Sequence, residues 1–340
     1  MERGVFAGPY SEQSPIREPE EEASLLSGPK KISVILNPQA SGGGGVRVLP
    51  KLEEALKRRT LSYSLHQTEN PGHAFVLARE VVDGDSDLVL VVGGDGTIHE
   101  VANGLLTREG DPPPIGVIPV GTGNDFFRMV GGPKDPEKAL DALLSGTPRD
   151  FEVGEVRYNG RSSFFVNLLG LGVDVEVLRK REEYPRLKGL PQYLAALVSA
   201  LWSFRPESVR VTMGPVGDST PGEVIDERTI LIAVTVGPSV GGGFLLSPGA
   251  SPYDGLLDLF FVKPLGAMKL VRYIPKVIRG THQDLPELVQ RRVKTLTIER
   301  SDKGPFYFEM DGENVPDSVT GLEILVHPGK LQVLVPAEAV

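Results

Sequence analysis

Short apolar runs, each followed by a loop and then by an amphipathic segment, fill the first 145 residues. The runs at 32–36, 87–92 and 114–118 are almost continuously apolar. Such runs are typical of strands that are buried on both faces of a parallel sheet. Between them, segments 46–59 and 97–106 repeat apolar residues at helical spacing. This alternation predicts an α/β fold whose N-terminal domain is doubly wound.

The pattern changes near residue 147, where short strand-like runs separated by Gly and Pro turns take over. Helical spacing returns only at 190–204 and 265–279. We therefore predict an α/β domain over 30–148 and a β-rich C-terminal domain over 149–324. Two closing strand-like runs, at 322–326 and 331–335, leave open whether 325–340 rejoins the first domain.

The first 29 residues contain four prolines and six acidic against two basic residues. With so few apolar side chains, the segment 1–29 cannot offset the entropy lost on ordering, and we predict a disordered acidic tail.

Composition excludes several classes of function. The chain has no cysteine, which rules out disulfides, thiolate zinc sites and cysteine nucleophiles. A net charge of −9 argues against nucleic acid as a partner. No apolar run approaches the roughly 18 residues of a membrane span. We expect a soluble, cytoplasmic protein, and we keep open that it attaches peripherally to a membrane.

The strongest functional signal is Gly-Gly-Asp-Gly-Thr at 93–97, between a buried strand and a helix. Glycines let backbone N–H groups approach phosphate oxygens, and a helix N-terminus favours anions. A carboxylate in such a loop would repel phosphate unless it reaches a cation or a reacting hydroxyl. Asp95 therefore indicates phosphoryl transfer with magnesium. The alternative is a plain strand–helix turn in which Asp95 caps the helix.

Two further loops follow buried strands, and ligands of open parallel sheets bind at the carboxyl ends of strands. In the loop at 119–126, Thr122 is a candidate hydrogen-bond donor to a phosphate group, and Asp125 is a candidate cation ligand. The alternative is an Asx turn with a capping Asp. The loop at 37–42 is a weaker signal, because it lacks the Gly-Lys-Ser/Thr ending of a Walker loop.

In combination, these motifs resemble those of the diacylglycerol kinase catalytic-domain family of soluble bacterial lipid kinases, which is related to sphingosine and ceramide kinases. The resemblance runs from about Lys31 to the C-terminus. Beyond the three loops, the matching residues are Glu100, Asn103, Gly104, Arg128, Asn167, Gly170, Gly172, Asp174, Gly241, Gly242, Gly243, Pro248, Ala250, Asp254, Gly255, Asp258, Asp311, Gly312 and Glu313.

The resemblance implies roles for individual residues. Glu313 would be the general base, with Asp95 the other catalytic residue, and Asp174 would hold the lipid head group. ATP would be contacted by Asn37, Pro38, Gln39, Ala40, Ser41, Thr68, Gly93, Gly94, Asp95, Gly96, Thr97, Ile98, His99 and Thr122. A structural magnesium would be held by Asp254 with the carbonyls of Ser251 and Leu256.

The chain departs from the family pattern where an Asp usually precedes the first strand of the second domain. Here the frame reads Glu152-Val153-Gly154, with Asp150 two positions earlier. The choice between Glu152 and Asp150 as a partner of Asp95 and Asp125 in a metal network stays open.

A basic segment at 179–188, with five basic and two acidic residues, precedes the apolar segment 190–204. This order is typical of chains that lie on an anionic membrane surface. The alternative is a solvated charge run before a core helix.

We therefore expect an ATP- and Mg²⁺-dependent kinase that acts on a lipid alcohol, diacylglycerol-like or sphingoid, presented at a membrane surface. An NAD kinase, which shares the Gly-Gly-Asp-Gly-Thr loop, is one alternative, and a non-catalytic nucleotide- or lipid-binding regulator is the other. The motifs indicate neither the particular lipid nor the oligomeric state, because acyl-chain pockets are built from generic apolar side chains.

Overall fold

The computed structural model describes residues 31–82, 86–121, 123–187, 189–216 and 222–336. The predicted tail 1–29, Thr122 and the last four residues lie outside the described residues. Among the helices that are described, none is both long and apolar enough to cross a membrane.

Eight helices are present in the described ranges, most of them in the first half of the chain. They are α1 (Ala40–Arg58), α2 (His73–Val82), α3 (Asp95–Leu106), α4 (Asp125–Val130), α5 (Pro136–Leu144), α6 (Val173–Arg181), α7 (Leu190–Ser203) and α8 (Ala267–Ile278).

The strands fall into two sheets. They are β1 (Lys31–Leu36), β2 (Ser62–Gln67), β3 (Leu88–Gly93), β4 (Ile115–Pro119), β5 (Thr147–Tyr158), β6 (Arg161–Phe165), β7 (Leu168–Gly172), β8 (Glu207–Met213), β9 (Val224–Thr229), β10 (Leu231–Thr235), β11 (Leu257–Val262), β12 (Leu288–Val293), β13 (Thr295–Arg300), β14 (Phe308–Met310), β15 (Glu313–Asn314) and β16 (Gly321–Val335).

The first sheet begins as a parallel sheet in the order β2-β1-β3-β4. Side chains of these strands alternate between two cores. Val89 and Val91 pack with α2 and α3 on one face, whereas Leu88 and Leu90 pack with α1 and α5 on the other. The predicted fold class, a doubly wound α/β domain followed by a β-rich domain, is confirmed.

The second sheet is antiparallel, in the order β12-β11-β10-β7-β14-β15. It packs face to face against the distal part of the first sheet, which contains β8 and β13. Val211 and Ile298 from the first sheet and Val234 and Phe261 from the second share one buried core. This core gives the β-rich half the form of a sandwich.

Strand β16 connects the two halves of the molecule. It pairs with β13 and β5 along its length, and near its end Val333 pairs in parallel with Ile115 of β4. The sequence pattern predicts two closing strands, at 322–326 and 331–335. The structure has one strand instead, with an irregular register between His327 and Leu331.

The helix starts differ from prediction where the capping groups are not local in sequence. Segment 70–82 predicts a helix that begins at Pro71, but α2 begins at His73. The carboxylate of Glu100, on α3, accepts hydrogen bonds from the N–H groups of Gly72 (2.8 Å) and Ala74 (3.0 Å). By contrast, the pair Asp135-Pro136 predicts a helix start from local sequence alone, and Asp135 does cap α5, accepting from the Lys138 N–H at 3.2 Å.

Helices α2 and α3 cross closely at Gly104. A Cβ at this position would lie 2.4 Å from the Phe75 carbonyl oxygen and 2.7 Å from the Ala78 Cβ. The absence of a side chain at Gly104 therefore sets how near these helices approach, and with it the position of the first turn of α3.

We predict that Gly104→Ala lowers the free energy of unfolding by about 1–3 kcal/mol, because backbone atoms cannot move aside to admit the methyl group. Chemical denaturation measures this. Gly249→Ala is the control, since nothing lies within 4 Å of a Cβ there. Equal stability of both variants would contradict the close crossing.

Candidate active site

A cleft of about 1110 Å³ opens between the carboxyl ends of the parallel strands and the second sheet. The loops after β1, β3 and β4 form one wall. The other wall comes from the β14–β15 hairpin, the start of α6 and the loop that contains Gly242. Residues far apart in the sequence therefore share one site.

The first turn of α3 points into this cleft. The Asn37 side chain connects it to the preceding loop, since Nδ2 donates to Thr97 Oγ1 at 3.1 Å and Oδ1 accepts from the Gln39 N–H at 3.0 Å. Ser41 and Gly42 follow in the left-handed region, with φ of 50° and 66°. With Gly43 (φ 85°), these residues form a kink near the start of α1, so its regular helical part begins only after Gly43, close to Val46, where the sequence pattern places the start.

Most residues that the resemblance assigns to ATP line the cleft. They are Asn37, Gln39, Ala40, Ser41, Thr68, Gly94, Asp95, Gly96, Thr97 and His99. Three of the assigned residues do not line it. Ile98 is buried on the core side of α3, Gly93 ends β3 next to Thr97, and Pro38 is not among the lining residues. Thr122 lies outside the described residues.

Asp95 is the first residue of α3 and faces the loop after β4. Its Oδ1 accepts a hydrogen bond from the Phe126 N–H at 3.0 Å. Burial raises the pKa of Asp95, and the nearby charge of Asp125 raises it further. A cation beside this carboxylate would relieve that repulsion, so Asp95 fits the role of a magnesium ligand.

Asp125 is buried, and three donors occupy its carboxylate. They are Arg128 Nη1 at 2.7 Å, the Ser239 hydroxyl at 3.2 Å and the Gly242 N–H at 2.6 Å. The last two donors belong to the C-terminal half of the chain. Asp125 therefore connects the walls of the cleft, and its role as a metal ligand stays a prediction.

Asp311 accepts four hydrogen bonds. The N–H groups of Val166, Asn167 and Leu168 donate at 2.8–3.0 Å, and His99 Nδ1 lies 2.7 Å away. Burial lowers the pKa of His99, but the hydrogen bond and charge of Asp311 outweigh burial and raise it. Asp311 thus fixes the β14–β15 hairpin against both β7 and α3.

Glu313 follows the tight turn at Gly312, whose φ is 89°. Its Oε1 would lie 3.0 Å from a Cβ on Gly96, so the carboxylate stands over the first turn of α3. Burial in the cleft raises the pKa of Glu313, while the charges of His99 and Arg181 oppose that rise. Glu313 as a whole residue is exposed, so the effect of burial on it is limited, and a carboxylate with a raised pKa accepts a proton more readily than one with an ordinary pKa.

Asp174 lies in the first turn of α6, on the same wall of the cleft as Glu313. Its Oδ1 accepts a hydrogen bond of 2.5 Å from the Tyr193 hydroxyl. The sequence analysis missed Tyr193 and also Glu309, a second acid at this end. One signal for Glu309 existed: it stands two residues before Asp311, in the strand-like run that precedes the Asp-Gly-Glu motif.

A separate acidic cluster surrounds the loop before β11. Glu152 Oε2 accepts from the Gly255 N–H at 2.6 Å, and Arg292 forms an ion pair with Asp254. Burial raises the pKa of Glu152 to about 7, and that of Asp258 to about 6. Asp150 instead accepts from the Gln332 side chain at 3.0 Å.

This arrangement corrects one expectation. Glu152 lies with Asp254 and does not join Asp95 and Asp125, because β5 carries it to the loop at 251–256 outside the cleft. Its Oε1 is buried and has no hydrogen-bond partner among the described residues. The described residues contain no ready-made group of three or more metal-ligating side chains. Glu152 Oε1 nevertheless suits a hard cation that would also be bound by Asp254 and by the carbonyl oxygens of Ser251 and Leu256.

The fold and the cleft combine an α/β half with a β-rich half, and a glycine-rich helix N-terminus lies at the cleft between them. Two family models match the chain: the diacylglycerol kinase catalytic domain over residues 31–156, and the YegS C-terminal NAD kinase beta sandwich-like domain over 167–335.

Individual proteins agree with this assignment. A diacylglycerol kinase from Bacillus subtilis is 30% identical over 84% of this chain and 90% of its own length. A crystal structure of a diacylglycerol kinase from Bacillus anthracis superposes with a TM-score of 0.68 at 23% identity, covering 92% of this chain and 99% of that one. An NAD kinase from Archaeoglobus fulgidus, in complex with ATP, shares the fold with a TM-score of 0.51 at 16% identity, covering 91% and 95%.

The chain therefore belongs to the diacylglycerol kinase catalytic-domain family. It is a member of a lipid kinase family, and ATP use follows from that membership.

We predict that Asp311→Asn lowers the free energy of unfolding by about 3 kcal/mol. The side-chain NH₂ group of the introduced Asn would face backbone N–H groups that now donate to a carboxylate oxygen, which leaves buried donors without acceptors. Chemical denaturation measures the loss, with the exposed Asp284→Asn as the control.

The pH dependence provides a second check. A raised pKa for His99 means that its ion pair with Asp311 stabilises fully below about pH 6.5 and is lost as the pH rises through the raised value. The stability difference between wild type and Asp311→Asn should therefore narrow toward alkaline pH. A difference that does not change with pH would contradict the ion pair.

Proposed function

We propose that the protein transfers the γ-phosphate of ATP to the hydroxyl of a lipid alcohol, with a diacylglycerol-like or sphingoid lipid as acceptor. One observation carries the proposal. A single cleft contains a helix N-terminus suited to phosphate, the Glu313 carboxylate directly over it, and the acid Asp174 on the opposite wall. Membership of a lipid kinase family supports the same reaction.

In this reaction the acceptor oxygen forms a bond to the γ-phosphorus, and the bond between that phosphorus and the β,γ-bridging oxygen breaks, releasing ADP. Glu313 accepts the proton of the hydroxyl. The N–H groups at the start of α3 bind phosphate oxygens, which aligns the reacting atoms. Magnesium, when bound, neutralises charge on the phosphates, and Asp95 is the side chain that would hold it.

The loop at 251–256 supports a second, structural magnesium. Asp254, the Ser251 and Leu256 carbonyls and Glu152 together offer the oxygen ligands that a hard cation prefers. Because this cluster lies outside the cleft, a cation there would stabilise the second domain and take no part in the transfer.

The acceptor side of the molecule has an apolar surface suited to a membrane. We name Trp202 and Val198 of α7 with Met268 and Val271 of α8 the apolar ridge. Trp202 and Met268 are 75% and 77% exposed. The exposed Arg205 and Arg272 stand beside them, and helix α7 also contains Tyr193 of the cleft. Apolar side chains flanked by basic ones favour an anionic lipid surface.

The test of the reaction is transfer of labelled phosphate from ATP to a mixed lipid extract and, separately, to NAD. We expect a labelled lipid and no labelled NAD. Label on NAD would favour the NAD kinase alternative. ATP binding without any transfer would favour a non-catalytic regulator.

We predict that Glu313→Gln lowers lipid phosphorylation about 100-fold or more with unchanged ATP affinity, because the amide cannot accept the proton. Steady-state kinetics and nucleotide titration measure the two effects, and Glu80→Gln, an exposed change on α2, is the control. Near wild-type turnover in Glu313→Gln would remove Glu313 from the mechanism. In that case Asp95 would become the next candidate for the base.

We predict that the double change Trp202→Ser and Met268→Ser weakens binding to vesicles that contain anionic phosphatidylglycerol about 10-fold, since apolar area no longer enters the interface. Vesicle sedimentation measures binding. Val224→Ser is the control, because Val224 is 56% exposed but lies on β9. If the two proteins sediment equally, the apolar ridge does not contact the membrane.

A further inference from the structure

Two buried carboxyl groups meet at the end of the cleft that is remote from Asp95. Glu309 lies on β14 and pairs directly with Gly170 of β7, while Asp174 begins α6. A Cβ on Gly170 would lie 2.5 Å from Glu309 Oε1 and 2.7 Å from Asp174 Oδ2. Both oxygens thus flank the space that the missing side chain of Gly170 leaves open.

The remaining oxygens of the pair are accounted for. Asp174 Oδ1 accepts from the Tyr193 hydroxyl at 2.5 Å, and Glu309 Oε2 accepts from the Gly312 N–H at 2.8 Å. Glu309 Oε1 is buried and has no hydrogen-bond partner among the described residues. Both acids also line the cleft.

Two carboxylates in one buried space cannot both carry a charge without a large cost, so such a pair retains a proton. Burial raises the pKa of Glu309 well above its usual value, and the charge of Asp174 raises it further. The other groups that face the pair are Tyr193 on α7, Arg181 on α6 and Asp311 after β14. A proton placed between the two acids also provides a partner for Glu309 Oε1.

We propose, on the basis of the kinase function proposed above, that Asp174 and Glu309 form a one-proton dyad that binds an N–H or O–H donor on the acceptor lipid. The dyad presents one negative charge to the cleft, so a cationic donor is preferred to a neutral one. Glu309 is thereby a specificity-determining residue of the acceptor site.

The dyad predicts an unusual response to substitution. In Asp174→Asn, the charge of Asp174 no longer raises the pKa of Glu309, and Glu309 supplies the single charge when a cationic donor binds beside it. In Glu309→Gln, Asp174 ionises and the charge again remains. Only the double variant removes the charge. A site in which Asp174 acts alone would lose its charge in Asp174→Asn.

The experiment uses the full chain with two soluble acceptors, decane-1,2-diol and 2-aminodecan-1-ol, which differ only in a hydroxyl or an amine at the second carbon. The measured quantity is the ratio of kcat/KM for the amine to that for the diol. Absolute rates fall in every variant because hydrogen bonds change, so the ratio is the informative value.

We expect wild type to favour the amine. The ratio in each single variant should stay within about threefold of the wild-type ratio, and the ratio in the double variant should fall about 10-fold or more below it. A ratio that falls as far in Asp174→Asn as in the double variant would overturn the dyad. So would a wild type with no preference. If the double variant does not fold, the Asp174→Asn variant by itself tests the dyad, since the dyad requires this variant to keep the wild-type ratio.

Thermal stability against pH tests the dyad without any activity. A carboxyl whose pKa is raised on folding stabilises the fold at low pH, and this contribution is lost as the pH rises from about 4.5 through the raised value. Wild type should therefore lose more stability toward alkaline pH than Glu309→Gln, which cannot acquire the second charge.

Parallel pH profiles for the two proteins would overturn the shared proton. Because this measurement needs no acceptor, it separates the two proposals. A wild type that phosphorylates neither acceptor but shows the pH difference would refute the kinase reaction on these lipids and leave the buried dyad intact.

Discussion

The four hydrogen bonds to the Asp311 carboxylate are the interaction on which the cleft depends. Three consecutive backbone N–H groups converge on it from the link between β6 and β7, and His99 reaches it from α3. Asp311 itself has a φ of 50°, and Gly312 continues the left-handed turn. The carboxylate stabilises this strained reversal, and the reversal directs Glu313 back over the first turn of α3.

An acid-lined cleft would ordinarily repel a nucleotide, and the structure limits that repulsion locally. Asp125 and Asp311 accept hydrogen bonds from several donors each, which spreads their charge over the surrounding N–H groups. Burial raises the pKa of Asp95 and of Glu313. A raised pKa lowers the negative charge that each of these carboxyl groups carries, and the helix N-terminus beside Asp95 favours phosphate.

The sequence predicts those elements that are marked by a local pattern, such as a run of apolar residues or a capping residue. Strand β3 is apolar at five consecutive positions and was predicted, as was the cap of α5 by Asp135. Strand β12 was not predicted, because its Gln and Arg residues interrupt any apolar pattern. In the site, the glycine loops were predictable from local motifs. The donors to Asp125 were not, since Ser239 and Gly242 are more than 110 residues away along the chain.

The same long-range bonds determine how the two halves of the chain work together. Asp125 connects α4 to Gly242, and Asp311 connects β14 to His99, so both ends of the cleft are bridged by hydrogen bonds to charged groups. Each such bond contributes about 1.5–3 kcal/mol, and β16 adds a continuous strand through both halves. Separating the halves would break all of these contacts at once. These contacts therefore hold the two walls of the cleft against each other.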